Sequence, residues 1–225
     1  MSTTFTKKSL LGGAFQLLLF PLVLFLAAGT IFWPAAWLFL ILFYSFVVIT
    51  VRLLSRRNPG LLEERMSLVR PRQKDRMLIL LLIVSVVWLI LMPLDAARFH
   101  WSRLPLWLQV VGAFILSGSF VIIYLAFREN AYLTPTVRIQ EERGHTVVST
   151  GLYHYMRHPM YAGCHLFFIG TPLLLGSLWG LLLAPVLIGL FFRRAVLEER
   201  VLRRELPGYE LYMAQVNYRF IPSVW

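Results

Sequence analysis

Four stretches without Asp, Glu, Lys or Arg account for most of the chain: Ser9–Val51 with 43 residues, Met77–Leu94 with 18, Leu104–Phe127 with 24 and Pro159–Phe192 with 34. A hydrocarbon core about 30 Å thick takes roughly 20 helical residues to cross, so the first run holds two spans and the last holds two short ones. Helix breakers mark the divisions. The first run breaks at Trp33-Pro34, and the last breaks either at Gly176-Ser177 or at Gly170-Thr171-Pro172. The pattern predicts an all-α polytopic membrane protein of about six transmembrane helices, ending in a C-terminal helical hairpin with polar loops at its mouth. Lys7-Lys8 followed by apolar sequence mimics a secretory signal, but the run is too long and continues into a second span, so no cleavage is expected.

Composition agrees, with 58% hydrophobic and 15% charged residues and a mean hydropathy of +0.69, which excludes a water-soluble enzyme. Of the 22 Lys and Arg residues, six spans put 20 on one side of the membrane and leave only Arg98 and Arg103 on the other. Basic loops stay in the cytoplasm, so both termini and the two long loops are expected there. The net charge of +11 therefore follows the membrane boundary and suits membrane lipids with anionic headgroups; no nucleic-acid partner is expected. Cys164 is the single cysteine, which excludes an intramolecular disulfide and a thiolate metal cluster. His154 and His158 have the spacing of two ligands on one helix face, but Pro159 interrupts that helix and no third ligand is evident, so no metal is expected. Nor is there a glycine-rich nucleotide loop of the soluble type.

The spans before Phe127 read as scaffold, with Gly112, Ser117, Gly118 and Ser119 letting helix backbones approach closely in the fourth. Residues 1–127 are thus expected to form a four-span membrane scaffold and 128–225 the region that carries chemistry. The stretch Arg128–Arg157 holds seven charges and two of the five histidines, too much for a simple connector. Its tail, His145-Thr146-Val147-Val148, reads as an extended segment between Gly144 and Gly151 with backbone donors and acceptors on offer. Pro159 suits the first turn of a helix, which puts Arg157 and His158 at the mouth of span five, where a helix N-terminus and a guanidinium favour an anion. A tight hairpin then brings Glu198 and Glu199 of the departing helix near His158.

These residues, in this order, resemble the isoprenylcysteine carboxyl methyltransferase family in its compact, microbial form. The marks are Gln140, the His145–Val148 segment, Gly151 with Tyr153, the Arg157-His158-Pro159-Met160-Tyr161-Ala162-Gly163 motif, the pair Glu198-Glu199, and Tyr209 with Tyr212, all within the 83 residues from Gln140 to Pro222. The resemblance implies a membrane methyltransferase using S-adenosyl-L-methionine as cofactor, with Gln140, His145, Thr146, Val147, Val148, Tyr153, His158, Pro159, Met160, Tyr161 and Glu199 around the donor. Within that set, the 145–148 backbone takes the adenine, Glu199 the ammonium, His158 and the helix start the carboxylate, and Tyr161 the sulfonium. Arg157, Arg194, Glu198 and Arg219 fall to the acceptor side, which would take a lipophilic or small-molecule acceptor such as a prenylcysteine carboxylate. In the family's eukaryotic members an arginine stands four residues before the second glutamate; here that position is Ala195, with Arg194 adjacent and about 100° away around the helix. Alternatives of the same architecture are an NADPH-dependent sterol-type reductase and a methyltransferase acting on phospholipid amines or thiols.

Overall fold

The computed structural model describes residues 18, 20–57, 76–133 and 139–222, and among them every regular element is helical. Helix α1 covers 20–28 and turns at Gly29 (φ +70°). Then come α2 (Pro34–Arg57), α3 (Arg76–Pro93, prolonged by a π-turn over Leu94–Arg98), α4 (Leu106–Glu129), α5 (Pro159–Leu175), α6 (Leu178–Glu205) and the short α7 (Tyr209–Gln215). The all-α polytopic class is as expected. Helices α2, α3, α4 and α6 are long and apolar enough to cross a membrane, and α5 is a shorter apolar helix of 17 residues. Residues 9–17 and 19 of the first expected span, and the greater part of the basic loop after α2, lie outside the described residues.

The breaks follow local chemistry. Pro34 opens α2 after Trp33. Of the two candidate breaks in the last apolar run, the chain turns at Gly176-Ser177: Gly176 adopts φ +80°, and the Ser177 hydroxyl caps α6 by accepting from the Gly180 N–H at 2.9 Å. Gly170, Thr171 and Pro172 stay inside α5.

Helices α4 and α5 make the closest contact in the fold, and glycine is the reason. A Cβ on Gly112 would collide with the backbone nitrogen of Leu174, one on Gly163 would lie 2.6 Å from Ile123, and one on Gly170 would lie 2.7 Å from the Leu116 nitrogen. Ser119 is fully buried at the same seam, whereas Ser117 turns its hydroxyl back to the Ala113 carbonyl and Gly118 faces open space. The small-residue reading of α4 thus holds at Gly112 and Ser119 and fails at Gly118, which faces open space. Around this pair, Phe39 of α2, Met92 of α3, Leu116 of α4, Leu174 and Leu175 of α5 and Leu187 of α6 form one buried core. The Trp88 indole donates to the Gly180 carbonyl at 2.8 Å, locking α3 to α6.

The two ends of the bundle differ. Trp37, Trp101, Trp107 and Trp179, all about half exposed, ring the end where α2, α4 and α6 begin and α3 finishes, the position of an interfacial aromatic belt. At that end Asp95, fully buried, accepts at Oδ2 from Ser102 Oγ (2.6 Å), Ser177 Oγ (2.7 Å) and the Trp179 N–H (3.1 Å). Ser102 Oγ in turn accepts from the Leu178 N–H, so the first three N–H groups of α6 are all satisfied. The charged residues of the last hairpin gather at the opposite end.

Candidate active site

Helix α5 is short, about 26 Å at 1.5 Å per residue, and α6 runs on for about 42 Å, so α6 carries its last turns past the start of α5. Pro159 takes the first helical position, with His158 as the flanking residue. The chain enters α5 from a tight turn over Gly151–His154, where Gly151 (φ +58°) leaves no room for a side chain against Glu129. The hairpin therefore sets His158 and Tyr161 of α5 opposite Arg194, Glu198 and Glu199 of α6.

Glu199 is the centre of a buried ionic knot. It is 3% exposed; its Oε1 accepts from Arg157 Nε at 2.8 Å and lies 3.2 Å from His158 Nε2, while its Oε2 accepts from Arg219 Nε at 2.9 Å. Arg157 spends its remaining reach on the carbonyls of Val216 (2.7 Å) and Asn217 (3.1 Å). The backbone joins in, since Arg157 N donates to the Tyr218 carbonyl (2.9 Å) and His158 N to that of Arg219 (2.8 Å). Residues 216–220 thereby strap the start of α5 to α6, with Phe220 driven into the Tyr161 and Ala195 packing.

Glu198, one position earlier, is different. Its Oε2 accepts the Tyr161 hydroxyl at 2.6 Å, and that phenol oxygen accepts from Arg194 Nε at 3.2 Å. The His158 and Tyr161 rings lie parallel with centroids 5.4 Å apart. Beside this chain of groups opens a cleft with about 790 Å³ of atom-free space, counting the part open to solvent.

Most of the residues singled out from the sequence meet at this cleft. His145, Thr146, Val147 and Val148 form one wall, Tyr153, Arg157, His158, Met160 and Tyr161 another, and Glu198 a third. The 145–149 segment has no regular secondary structure, and the backbone groups of 146–148 pair with no other described residue. Five residues stand behind the walls. Glu199 and Arg219 are in the knot, Arg194 is buried at Tyr161, and Pro159 is buried in the helix start. Gln140, fully buried, donates from Nε2 to the Tyr132 carbonyl (2.7 Å) and accepts from Arg143 (2.6 Å), so it braces the loop behind His145.

Other cleft residues gave little signal in the sequence. Asn130, Tyr132 and Leu133 follow α4, and Leu202 and Leu206 close the far side with Tyr209 and Tyr212. Tyr132 stacks on His145 with centroids 4.3 Å apart, and the Arg143 guanidinium lies 5.7 Å from the same ring. Burial and the neighbouring Arg143 hold the His145 pKa below its usual 6.5, with Glu198 acting the other way. Burial raises the phenols of Tyr209 and Tyr212 above the ordinary range, so both stay protonated donors; the Tyr212 hydroxyl donates to the Tyr153 carbonyl at 2.7 Å. No group of three or more His, Cys, Asp or Glu fit to hold a metal occurs among the described residues.

Comparison with known proteins reaches the same stretch. The chain is 32% identical over 105 residues to the protein-S-isoprenylcysteine O-methyltransferase of Schizosaccharomyces pombe, a match covering 46% of this chain and 44% of the relative, so the chain spans less than half the length of that relative. Residues 107–207 match the phospholipid methyltransferase family. The matched stretch contains nearly all of α4 and the whole of α5 and α6, and with them most of the residues that line the cleft.

Proposed function

We propose that the chain is a multi-pass membrane methyltransferase, that the cleft holds S-adenosylmethionine, and that the methyl group passes to an acceptor drawn from the membrane. The observation that carries this reading is the cleft itself, set where an apolar hairpin ends, with a backbone edge at 146–148 that pairs with no other described residue, aromatic rings at Tyr132 and His145, and a carboxylate at Glu198. Those groups match an adenine with polar edges and an amino acid tail. The fit is chemical, because the backbone can pair with the purine edge and an acid can meet an ammonium.

When bound, the donor supplies an electrophilic methyl on a sulfonium. The protein's part is to align, to dry and to neutralise. Tyr161, tied to Glu198 and Arg194, fixes the α5–α6 face of the cleft, and the apolar side chains of Met160, Leu202 and Leu206 exclude water from it. A carboxylate or thiolate acceptor attacks without a general base, so no residue is required to move a proton. The acceptor is read as a lipid-tailed carboxylate of the prenylcysteine kind, on the strength of the yeast relative's name and of a cleft that opens where the bilayer ends. The 20-to-2 division of basic residues supports a cytoplasmic cleft and cytoplasmic termini.

The test is a screen of membrane lipid extracts and S-prenylated cysteine analogues with methyl-labelled donor and the purified protein in detergent. Base-labile label in a lipid-soluble product is expected. Base-stable label in a phospholipid product would instead identify an amine acceptor, and oxidation of NADPH in place of methylation would reverse the assignment of the cleft.

A further inference from the structure

Behind the turn that carries Tyr153 lies a second groove, which shares no lining residue with the cleft. Leu125, Arg128 and Glu129 at the end of α4 form one side of it, and residues 149–152 with His154 and Tyr155 form the other, around about 830 Å³ of atom-free space, counting the part open to solvent. We propose that this groove binds the phosphate of a membrane phospholipid whose acyl chain lies along α4. The lipid is then a ligand of the protein at a site apart from the methyl-transfer cleft.

Position is the first argument. Helix α4 packs Gly112, Leu116 and Ser119 against α5 and turns another stripe away from that seam: Trp107, Phe114, Gly118, Val121, Leu125 and Arg128, spaced by threes and fours. Trp107, Phe114 and Val121 are exposed, and a Cβ on Gly118 would meet nothing within 4 Å. Along the helix axis Trp107 and Arg128 are about 32 Å apart, which matches a hydrocarbon core of about 30 Å, so Arg128 stands at headgroup depth. Gly118 lies about 15 Å from Arg128, the thickness of one leaflet, and leaves a notch where a chain of that leaflet ends. Val121 and Leu125 keep the path between them apolar.

Charge is the second argument. The Arg128 side chain is 36% exposed, so its ion pair with Glu129 at 2.7 Å does not seal it from the groove. Glu129 is neutralised in place: Oε1 is held by Arg128, and Oε2 accepts from the Thr150 hydroxyl at 3.0 Å. The side chains of Ser149 and His154 make no hydrogen bond to another described residue. Tyr155 is 60% exposed beside His154, an aromatic ring at the depth where such rings favour the membrane surface. A guanidinium, a hydroxyl and an imidazole N–H together suit a phosphate diester, and the apolar stripe beneath selects a phosphate that carries chains. Because the same turn supplies Tyr153 to the cleft, a bound lipid braces the cleft from behind.

The experiment titrates the full-length protein in an uncharged detergent with dioleoylphosphatidylglycerol and resolves bound lipid by native mass spectrometry, with melting followed in parallel. Two probes divide the ligand: dioleoylglycerol has the chains without the phosphate, and sn-glycerol 3-phosphate has the phosphate without the chains. Neither is expected to displace the tightest-bound phospholipid. Arg128→Gln weakens that lipid about 10-fold, as loss of a hydrogen bond between charged groups requires, and Arg128→Lys recovers part of the loss. Gly118→Leu fills the notch and weakens the lipid about 4-fold, the worth of one buried methylene, without lowering the lipid-free melting temperature. Arg203→Gln, at an exposed residue lining neither groove nor cleft, leaves the lipid bound. The proposal is overturned if the wild type holds no tight phospholipid, or if Arg128→Gln and Gly118→Leu both bind it as the wild type does. Equal loss in Arg203→Gln would show diffuse attraction to a basic surface, and displacement by glycerol 3-phosphate would show a site for free phosphate; either result also overturns it. Should Arg128→Gln fail to fold, Arg128→Lys and Gly118→Leu decide the matter.

Discussion

Replacing Asp95 tests whether a buried carboxylate holds the last hairpin in place from the end remote from the cleft. It is fully buried, and three donors converge on one oxygen, two of them serine hydroxyls that also serve N–H groups of the first turn of α6. In Asp95→Ala the Trp179 N–H loses its acceptor, both hydroxyls must find others, and the negative charge at the start of a 28-residue helix disappears. A hydrogen bond to a charged group is worth about 1.5–3 kcal/mol, and an anion at a partly buried helix N-terminus up to about 2 kcal/mol. The serines can rotate to recover part of their loss, so the sum is not additive, and a cost of about 3–5 kcal/mol is expected, as for a broken buried charge interaction. Asp95→Asn keeps one oxygen for the three donors but removes the charge they share and sets an amide N–H₂ where Oδ1 is buried without a hydrogen-bond partner among the described residues; about 1–3 kcal/mol is expected. Unfolding in mixed micelles by added SDS, followed by tryptophan fluorescence, gives the order wild type, Asn, Ala. Retained S-adenosylhomocysteine binding by the folded Asn variant separates anchoring from ligand contact. An alanine variant as stable as the wild type would refute the argument, because it would mean that the α6 start needs no partner.

Two further outcomes follow from packing and charge. Gly112→Ala sets a methyl group against the Leu174 backbone, which cannot move aside as a side chain can, so overpacking of about 1–3 kcal/mol is expected in the same assay, while Gly118→Ala, facing open space, is neutral or slightly stabilising. For His145 the folded pKa lies below 6.5, so the unfolded chain binds the extra proton first: the stability due to the neutral ring is present above pH 6.5 and lost as the pH falls through the folded value. Melting temperatures from pH 7.5 to 5 should fall more steeply for the wild type than for His145→Gln, and parallel curves would count against a burial-shifted ring.

Long apolar runs and their breakers were enough to read the helices, because a lipid-facing helix leaves nothing ambiguous about its content, and Pro34 and Pro159 open helices where the sequence says they should. The hairpin break was undecided between two sites since glycine and proline occur at both. It is settled at Gly176 by a left-handed backbone and a serine cap, while Pro172 is tolerated in the last turn of α5. Asp95 was invisible as a structural residue: counting charges ends the third span at Leu94, and only the fold brings Ser102 and Ser177 to the carboxylate. Motif order drew attention to the Arg157–Gly163 turn and the glutamate pair, yet it could not tell that Arg157 is consumed by carbonyls 59 and 60 residues later or that the two acids face apart. Tyr132 reached the cleft without any pattern, through a loop whose path Gln140 and Arg143 brace.

The strap formed by 216–220 has a consequence for biosynthesis. A ribosome delivers the α5 start first, the α6 glutamates next and the strap last, so a nascent chain halted after α6 carries Arg157 without its carbonyl acceptors and Glu199 without Arg219. Until those residues emerge, Arg157 and Glu199 lack these partners, and the start of α5 is not yet latched to α6 from this side.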